Sequence, residues 1–155
     1  MRIGYGFDIH KFDNYGNLIL GGVKIPMFNK LLAHSDGDVL LHAIIDALLG
    51  AANMNDIGTL FPNSNKFKNI NSRIMLINTW KLITNKNKYT INNIDTTIIA
   101  QKPKLSQFFY KMRINISKDL NCSIDNINLK ATTTNGVPFI NNINAIACVA
   151  IVLLI

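Results

Sequence analysis

The sequence predicts one domain, residues 1–155, in which strands and helices are interspersed without the regular βα repeat of a doubly wound sheet. A chain of 155 residues can bury a sizeable hydrophobic core of its own. Hydrophobic residues make up 48% of it and charged residues 16%, which is typical of a globular protein rather than a disordered one. There are no internal repeats and no low-complexity linkers, so a single catalytic domain is expected.

The first third of the chain predicts a strand, a hairpin and a buried helix. The stretch RIGYGFDIHKF is typical of a first strand, and NLILGGVKIP places two short apolar segments around Gly21 and Gly22, as in a hairpin. SDGDVLLHAIIDALLGAA predicts a helix with Ser35 or Asp36 as the N-cap and Gly50 near its end. DIGTLFPNSNKFKN is rich in turn residues and predicts a loop.

The rest of the chain alternates between helix and strand patterns. SRIMLINTWKLITN has apolar residues at helical spacing (Leu76, Trp80 and Ile83), and KLSQFFYKMRINISKDL predicts another helix. YTINNIDTTIIA and INLKATTT predict strands. The final apolar run, AIACVAIVLLI, is too short for a membrane-spanning helix and predicts a buried strand.

Charge and cysteine content narrow the choice of partner and compartment. The net charge is +7, but the lysines are scattered and lack interleaved aromatic residues, so we expect no nucleic-acid partner. About one residue in seven is asparagine, and codons for Asn, Ile and Lys are A/T-rich, so genome composition can account for the excess of positive charge.

Cys122 and Cys148 lack metal-ligand spacing and are expected to be reduced, buried thiols. Without a basic-then-apolar leader, the expectation is a soluble cytoplasmic protein that does not bind membranes.

The chemistry is concentrated in the first third, which holds all three histidines. Asp8 and His10 are two residues apart on the predicted strand, so their side chains point to one face. Asp38, His42 and Asp46 are spaced by four on the predicted helix and form one polar stripe on an otherwise apolar, buried surface. Asp38 can simply complement the helix dipole, but His42 and Asp46 lie too far from the helix start for that role.

Asp8, His10 and His42 together form a candidate metal-ligand set. Zinc accepts carboxylate and imidazole donors, and three protein ligands leave a fourth position open for a substrate oxygen. Manganese is a second possibility for this site. The residues alone predict a metal-dependent enzyme; a zinc hydrolase using a bound water and a non-enzymatic basic binding protein remain as alternatives.

Two further stretches suit an anionic substrate. KATTTN at 130–135 offers hydroxyls and backbone N–H groups to phosphate oxygens, although a plain strand of β-branched residues has the same pattern. AQKPKLS at 100–106 combines a proline turn with two lysines.

Five stretches, taken together and in this order, resemble the family of 2-C-methyl-D-erythritol 2,4-cyclodiphosphate synthases: RIGYGFDIHKF, LLAHSDGDVLLHAIIDALLGAA, DIGTLFPNS, DTTIIAQKPKL and INLKATTT. The resemblance runs from Arg2 to the last strand and is thinner between Lys66 and Lys88. It implies an α+β protomer, with a β-sheet and helices packed on one face. It also implies a homotrimer with active sites between adjacent protomers.

The resemblance further implies a lyase of the non-mevalonate isoprenoid pathway. Its substrate would be 4-diphosphocytidyl-2-C-methyl-D-erythritol 2-phosphate, whose 2-phosphate attacks the β-phosphorus. The products would be 2-C-methyl-D-erythritol 2,4-cyclodiphosphate and CMP. The metal at Asp8, His10 and His42 would hold the attacking phosphate, and a magnesium-type ion would accompany the diphosphate. Positioning and charge stabilisation would then supply the catalysis.

The resemblance also assigns roles to individual residues. His34 and Thr133 match the positions that stabilise the transition state, and Asp46 would order the metal side of the helix. Residues 56–58 would hold the erythritol, residues 100–106 would enclose the cytosine, and residues 132–134 would bind the diphosphate. The complete set of expected substrate contacts is Asp8, His10, His34, Ser35, Asp56, Ile57, Gly58, Phe61, Ala100, Pro103, Lys104, Leu105, Ser106, Thr132, Thr133, Thr134 and Phe139.

Several positions depart from the family pattern by losing a charge. Asn135 stands where the family usually has a glutamate that binds the magnesium-type ion, and an amide oxygen brings no charge to that ion. Asn142 stands where many members have an arginine, and Asn63 and Asn65 replace frequent acids. We therefore expect a working enzyme that holds the magnesium-type ion weakly.

Overall fold

The computed structural model describes residues 1–27, 29–135 and 144–155. Within these ranges, five strands form one sheet in the order β4-β1-β7-β5-β6, and β2 pairs with β3 in a separate hairpin. The strand bounds are β1 Arg2–Tyr15, β2 Leu18–Leu20, β3 Val23–Ile25, β4 Asn29–Leu31, β5 Ile91–Ile99, β6 Ile127–Thr132 and β7 Ala145–Leu154. β7 is antiparallel to both β1 and β5, whereas β5 and β6 are parallel.

The helices are dispersed between the strands, as expected for an α+β fold. Their bounds are α1 Val39–Ala52, α2 Ile57–Leu60, α3 Ser72–Lys86 and α4 Phe109–Leu120, with 3₁₀ turns at Asn65–Phe67, Ser106–Phe108 and Ile124–Asn126. None of the helices in the described ranges has the length and apolar character needed to cross a membrane.

Helix α1 lies directly on one face of β1, and two glycines allow this close approach. A Cβ on Gly4 would lie 1.8 Å from the carbonyl oxygen of Ala47, and one on Gly6 would lie 2.0 Å from that of Ala43. Both distances are shorter than any non-bonded contact, so a side chain at either position would push the helix away. The apolar residues of α1 are buried in the core that this packing creates.

The opposite face of the sheet is open to solvent in the single chain. Side chains alternate along a strand, so β1 residues of odd number point away from α1. Ile3, Tyr5 and Phe7 are 71%, 63% and 42% exposed, and Ile151 on β7, paired with Tyr5, is 45% exposed. The prediction of helices packed on one face is thus confirmed for α1, and the other face carries an apolar surface.

The structure corrects three predictions of local structure. Helix α1 begins at Val39 with Asp38 as its N-cap, rather than Ser35 or Asp36, because the Asp38 carboxylate accepts from the N–H of Leu41 at 3.1 Å. The segment expected to be a loop contains α2 and the first 3₁₀ turn. The helix expected from Lys104 onward becomes α-helical only at Phe109, after a 3₁₀ turn.

Two smaller differences concern a strand and a thiol. The short strand β4 pairs with the far end of β1 and was not predicted, since three residues carry little periodicity. Both cysteines are free, but only Cys148 is buried, whereas Cys122 is half-buried.

Candidate metal centre and substrate pocket

Asp8 and His10 of β1 and His42 of α1 converge on one point. Asp8 Oδ2 lies 3.0 Å from His10 Nε2 and 3.1 Å from His42 Nδ1. The ligand atoms of all three residues lie within 4.8 Å of one another, a spacing that a single metal ion can bridge. The convergence follows from the packing of α1, because Asp8 and His10 lie on the same face of β1 as the two glycines that contact the helix.

The hydrogen bonds of His10 show that this donor set suits a cation. His10 Nδ1 lies 3.4 Å from the carbonyl oxygen of Gly37, which can only accept, so Nδ1 carries the proton. In the neutral ring, Nε2 then presents a lone pair to Asp8 Oδ2, which is also an acceptor. Lone pairs facing each other in this way require a proton or a metal ion between them.

The pKa shifts of Asp8 and His10 also indicate that the cluster suits a cation. Burial raises the pKa of Asp8, but hydrogen bonds from His10 and His42 outweigh it and hold the pKa well below its ordinary value. Burial likewise lowers the pKa of His10, but the hydrogen bond and charge of Asp8 reverse this effect and raise the pKa above its ordinary value. Asp8 is therefore a carboxylate at neutral pH, as metal binding requires.

A cavity of about 300 Å³ opens directly at the three ligands. Five residues predicted to contact substrate besides the ligands line it: His34, Ser35, Ile57, Gly58 and Phe61. Asn63, named above as a departure from the family pattern, also lines it. Sequence reasoning missed four apolar lining residues: Ala33, Phe67, Ile70 and Met75. Apolar residues of this kind carry no chemical signal in the sequence, so only their position in the fold identifies them.

Two residues of this pocket wall are held by hydrogen bonds to neighbouring segments. His34 Nε2 lies 2.8 Å from the carbonyl oxygen of Ser64, which orients the ring. Asp46 Oδ1 accepts from the N–H of Ile57 at 2.8 Å. Asp46 therefore fixes the pocket wall against α1 rather than acting on the metal ligands directly.

Asp56 caps the short helix that forms this wall. Its Oδ1 accepts from the N–H of Thr59 at 2.7 Å, and this hydrogen bond lowers the pKa of the carboxyl group. The side chain is exposed and does not line the 300 Å³ cavity in the single chain. Its expected contact with the erythritol stays a prediction.

Seven of the other predicted substrate residues line a second, separate cavity of about 430 Å³. Its walls come from the ends of β5 and β6 and from the segment before α4: Ala100, Gln101, Pro103, Lys104, Leu105, Ser106, Phe109, Ala131, Thr132 and Thr133. Thr134 follows this wall, where its hydroxyl accepts from the Gln101 side chain. His34 and Thr133, the two predicted catalytic residues, thus line different cavities of one chain. Phe139 and Asn142 lie outside the described residues.

The sheet with α1 on one face and the Asp–His–His cluster at an open pocket define a metal-binding enzyme of the α+β class. The chain belongs to the YgbB family, whose model matches residues 1–155.

Relatives over the full length share about half of the sequence. The 2-C-methyl-D-erythritol 2,4-cyclodiphosphate synthase of Photorhabdus laumondii subsp. laumondii is 53% identical over 156 residues, with 100% of this chain and 99% of the relative covered. The synthase of the same name from Pectobacterium atrosepticum is 51% identical, with 100% of this chain and 94% of the relative covered.

Solved structures show the same fold. The bifunctional IspDF of Campylobacter jejuni matches with a TM-score of 0.92 and 41% identity over 99% of this chain, which spans 42% of that protein. IspF of Plasmodium falciparum, solved as a CDP complex, matches with a TM-score of 0.85 and 43% identity, with 99% of this chain and 95% of that one covered.

Proposed function

We propose that this chain converts 4-diphosphocytidyl-2-C-methyl-D-erythritol 2-phosphate to 2-C-methyl-D-erythritol 2,4-cyclodiphosphate and CMP, as a lyase of the non-mevalonate isoprenoid pathway. One observation carries the proposal: Asp8, His10 and His42 converge at the floor of an open pocket in a chain about half identical to synthases of that name. The reaction is intramolecular and needs no protein nucleophile, so positioning and charge stabilisation are the tasks left to the protein.

The chain's own residues divide these tasks between the two cavities. A divalent metal held by Asp8, His10 and His42, zinc or alternatively manganese, would supply a Lewis acid for the attacking phosphate. His34 lines the pocket beside these ligands; because its Nε2 is bonded to the carbonyl of Ser64, a phosphate oxygen would meet Nδ1, which donates in the imidazolium form. Residues 57–58 form the wall for the erythritol. Thr132 and Thr133 offer hydroxyls to the diphosphate in the second cavity, where a magnesium-type ion would also bind.

The cytosine is assigned to the segment of residues 100–106. The CDP complex of the Plasmodium falciparum relative supports a cytidine nucleotide as the ligand of this family member. From this segment the second cavity is lined by apolar Ala100, Pro103 and Leu105 and by polar Gln101, Lys104 and Ser106, a mixture that suits a flat, hydrogen-bonding base.

The complete site is proposed to lie between two copies of the chain in a homotrimer. His34 lines the metal pocket of one chain, whereas Thr133 lines the second cavity of the same chain. If the second cavity of a neighbouring copy faced the metal pocket, His34 of one copy and Thr133 of the other would lie in one site. The open apolar face of β1 and β7, with Ile3, Tyr5 and Ile151 exposed, supplies a surface that other copies would cover. A cytoplasmic location is also proposed, in keeping with the two free cysteines.

The test is CMP release together with formation of the cyclic diphosphate, followed by phosphorus NMR on zinc-loaded protein with a magnesium titration. Cyclic product is the expected result. Turnover of simple esters without any need for the cytidine group would instead indicate a zinc hydrolase. Salt-dependent nucleic-acid binding that survives replacement of Asp8 and His42 would indicate a basic binding protein.

A further inference from the structure

A second set of hydrogen bonds reaches His42 from the side opposite Asp8. His42 Nε2 lies 3.0 Å from Ser72 Oγ and 3.1 Å from Ser35 Oγ. Ser72 is fully buried and is the first residue of α3, thirty positions after His42 in the chain. Ser35 is half-buried in the wall of the metal pocket. The two hydroxyls are almost equally close to the same nitrogen, but their own partners differ.

Ser72 can only accept a hydrogen bond from His42, because its proton is already used. The Ser72 hydroxyl donates to Asp36 Oδ1, and its backbone N–H donates to Asp36 Oδ2 at 3.1 Å. A carboxylate has no proton to return, so the direction of this contact is fixed. The oxygen of Ser72 therefore faces His42 with a lone pair and can accept a hydrogen from Nε2. On the other side of the ring, Nδ1 lies 3.1 Å from Asp8 Oδ2, which is also an acceptor, so Ser72 and Asp8 compete for the single proton of the neutral ring unless a metal ion binds at Nδ1.

Ser35 places no such requirement on His42. Its Oγ accepts from the N–H of Gly37 at 3.2 Å, which leaves its own proton free to rotate. Ser35 can therefore donate to His42 Nε2 or accept from it, and it suits either tautomer of the ring.

We infer that Ser72 and Asp36 are positioning residues that favour the Nε2–H tautomer of His42 in competition with Asp8 and so make the Nδ1 lone pair available to the metal. The inference rests on the metal site of the proposed function and adds residues that lie outside the ligand set. A ligating imidazole bound through one nitrogen is oriented by the hydrogen bond at the other. The start of α3 thus takes part in the metal site without touching the metal.

The experiment compares two serine-to-alanine variants at the same nitrogen, Ser72→Ala and Ser35→Ala. The first readout is the His42 tautomer in metal-free protein, from ¹H–¹⁵N spectra of the imidazoles at alkaline pH, where the rings are neutral. The second is the zinc dissociation constant, from competition with a chelator. Ser72→Ala is expected to lower the Nε2–H fraction of His42 and to weaken zinc binding about 10–100-fold, whereas Ser35→Ala keeps the Nε2–H fraction of the wild type.

Two further variants separate positioning from packing. Ser117→Ala removes another buried hydroxyl, one that donates to the carbonyl of Ile114, and is expected to leave both readouts unchanged. Asp36→Ala keeps the Ser72 hydroxyl but frees its proton, so a lower Nε2–H fraction is expected here too. This variant keeps the test decisive if Ser72→Ala does not fold.

Two results would overturn the inference: an unchanged tautomer in both Ser72→Ala and Asp36→Ala, or an equal loss of zinc affinity in Ser117→Ala. Failure of the metal site itself looks different. In that case wild-type protein would not bind zinc and His42→Ala would change nothing, while the tautomer of the metal-free protein would still report on Ser72.

Discussion

Asp46 of α1 accepts a hydrogen bond at 2.8 Å from the backbone N–H of Ile57, the first residue of α2. Asp46 lies one helical turn beyond the ligand His42, and Ile57 lines the pocket with Gly58. The bond thus fixes the substrate wall relative to the metal ligands. Burial raises the pKa of Asp46 above its ordinary value, and the hydrogen bond from Ile57 offsets only part of this effect.

Replacing Asp46 by alanine should therefore weaken substrate binding and leave the metal in place. A hydrogen bond to a charged group contributes about 1.5–3 kcal/mol, so we expect KM to rise about tenfold. Asp46→Asn keeps an acceptor oxygen and is expected to retain most of the affinity. Steady-state kinetics with zinc analysis of each variant check this, and a KM unchanged in Asp46→Ala would contradict it.

The histidines of the pocket offer a matched pair for testing the metal ligands. His42→Ala removes one of three donors, so zinc should be lost on purification and turnover with it. His34→Ala removes a ring that is bonded to Ser64 rather than to the cluster, so zinc should be retained. Loss of a charge-stabilising donor nevertheless costs about 10²–10³ in kcat. Metal analysis by atomic emission decides the matter: full zinc in His42→Ala would mean that the ligand set is wrong.

The pair formed by Asp8 and His10 predicts a pH dependence for the metal-free protein. The pKa of His10 is raised in the folded state, mainly by Asp8 acting against burial. The protonated pair therefore stabilises the fold fully below the unfolded pKa of about 6.5, and this contribution disappears as pH rises through the higher folded pKa.

The Tm of metal-free protein should accordingly fall as pH is raised from about 6.5. His10→Gln lacks the titrating group and should show a flatter profile over the same range. Zinc binding displaces the proton of the His10 and Asp8 pair, so the zinc affinity should rise over the same pH range in which the Tm of the metal-free protein falls. Thermal unfolding of both proteins across this range is the measurement, and parallel profiles would rule out His10 as the source.

Glycines of β1 and α1 provide a test of the packing that brings the ligands together. A Cβ at Gly6 would lie 2.0 Å from the oxygen of Ala43, whereas one at Gly50 would meet only the oxygen of Tyr5 at 3.9 Å. Gly6→Ala should lower the free energy of unfolding by about 3 kcal/mol. Gly50→Ala should leave it unchanged or raise it by up to about 1 kcal/mol, since alanine favours a helix. Urea unfolding distinguishes them, and equal effects would contradict the close approach of α1.

The sequence was sufficient to predict the metal ligands because their geometry is mostly local. A period of two places Asp8 and His10 on one face of a strand, and an apolar helix marks His42 as facing inward. Ser72 has no such signal, since it lies thirty residues from His42 and reaches it only through the packing of α3. Asp36 stands in the recognisable HSDGD stretch, but nothing local shows that its partner is Ser72.

The N-cap of α1 was mispredicted for the same physical reason. Ser35, Asp36 and Asp38 are all good capping residues, so propensity alone does not choose among them. Asp38 is selected by tertiary contacts: its two oxygens accept from the N–H groups of Gly21 and Gly22 at 2.9 and 2.7 Å. Likewise, the sequence names both sets of expected substrate residues but does not show that they line separate cavities in one chain.

Asn135 combines a backbone constraint with a missing charge. Its φ of 49° is in the left-handed region, which asparagine tolerates better than glutamate does, and its Oδ1 accepts from the Thr133 hydroxyl at 2.9 Å. The side chain thus lies beside the cavity proposed for the diphosphate, but it is neutral. A hard divalent cation such as magnesium binds more tightly to a carboxylate than to an amide oxygen.

Asn135→Glu should therefore shift the magnesium midpoint of the synthase reaction several-fold lower. Asn135→Gln is the matched control, because it has the same length and bears the same backbone cost at positive φ but carries no charge. The difference between the two variants isolates the charge from the strain. The measurement is the rate of CMP release at increasing magnesium concentration, which gives the midpoint for each variant. Equal midpoints for the two variants would show that the lost charge does not govern magnesium binding.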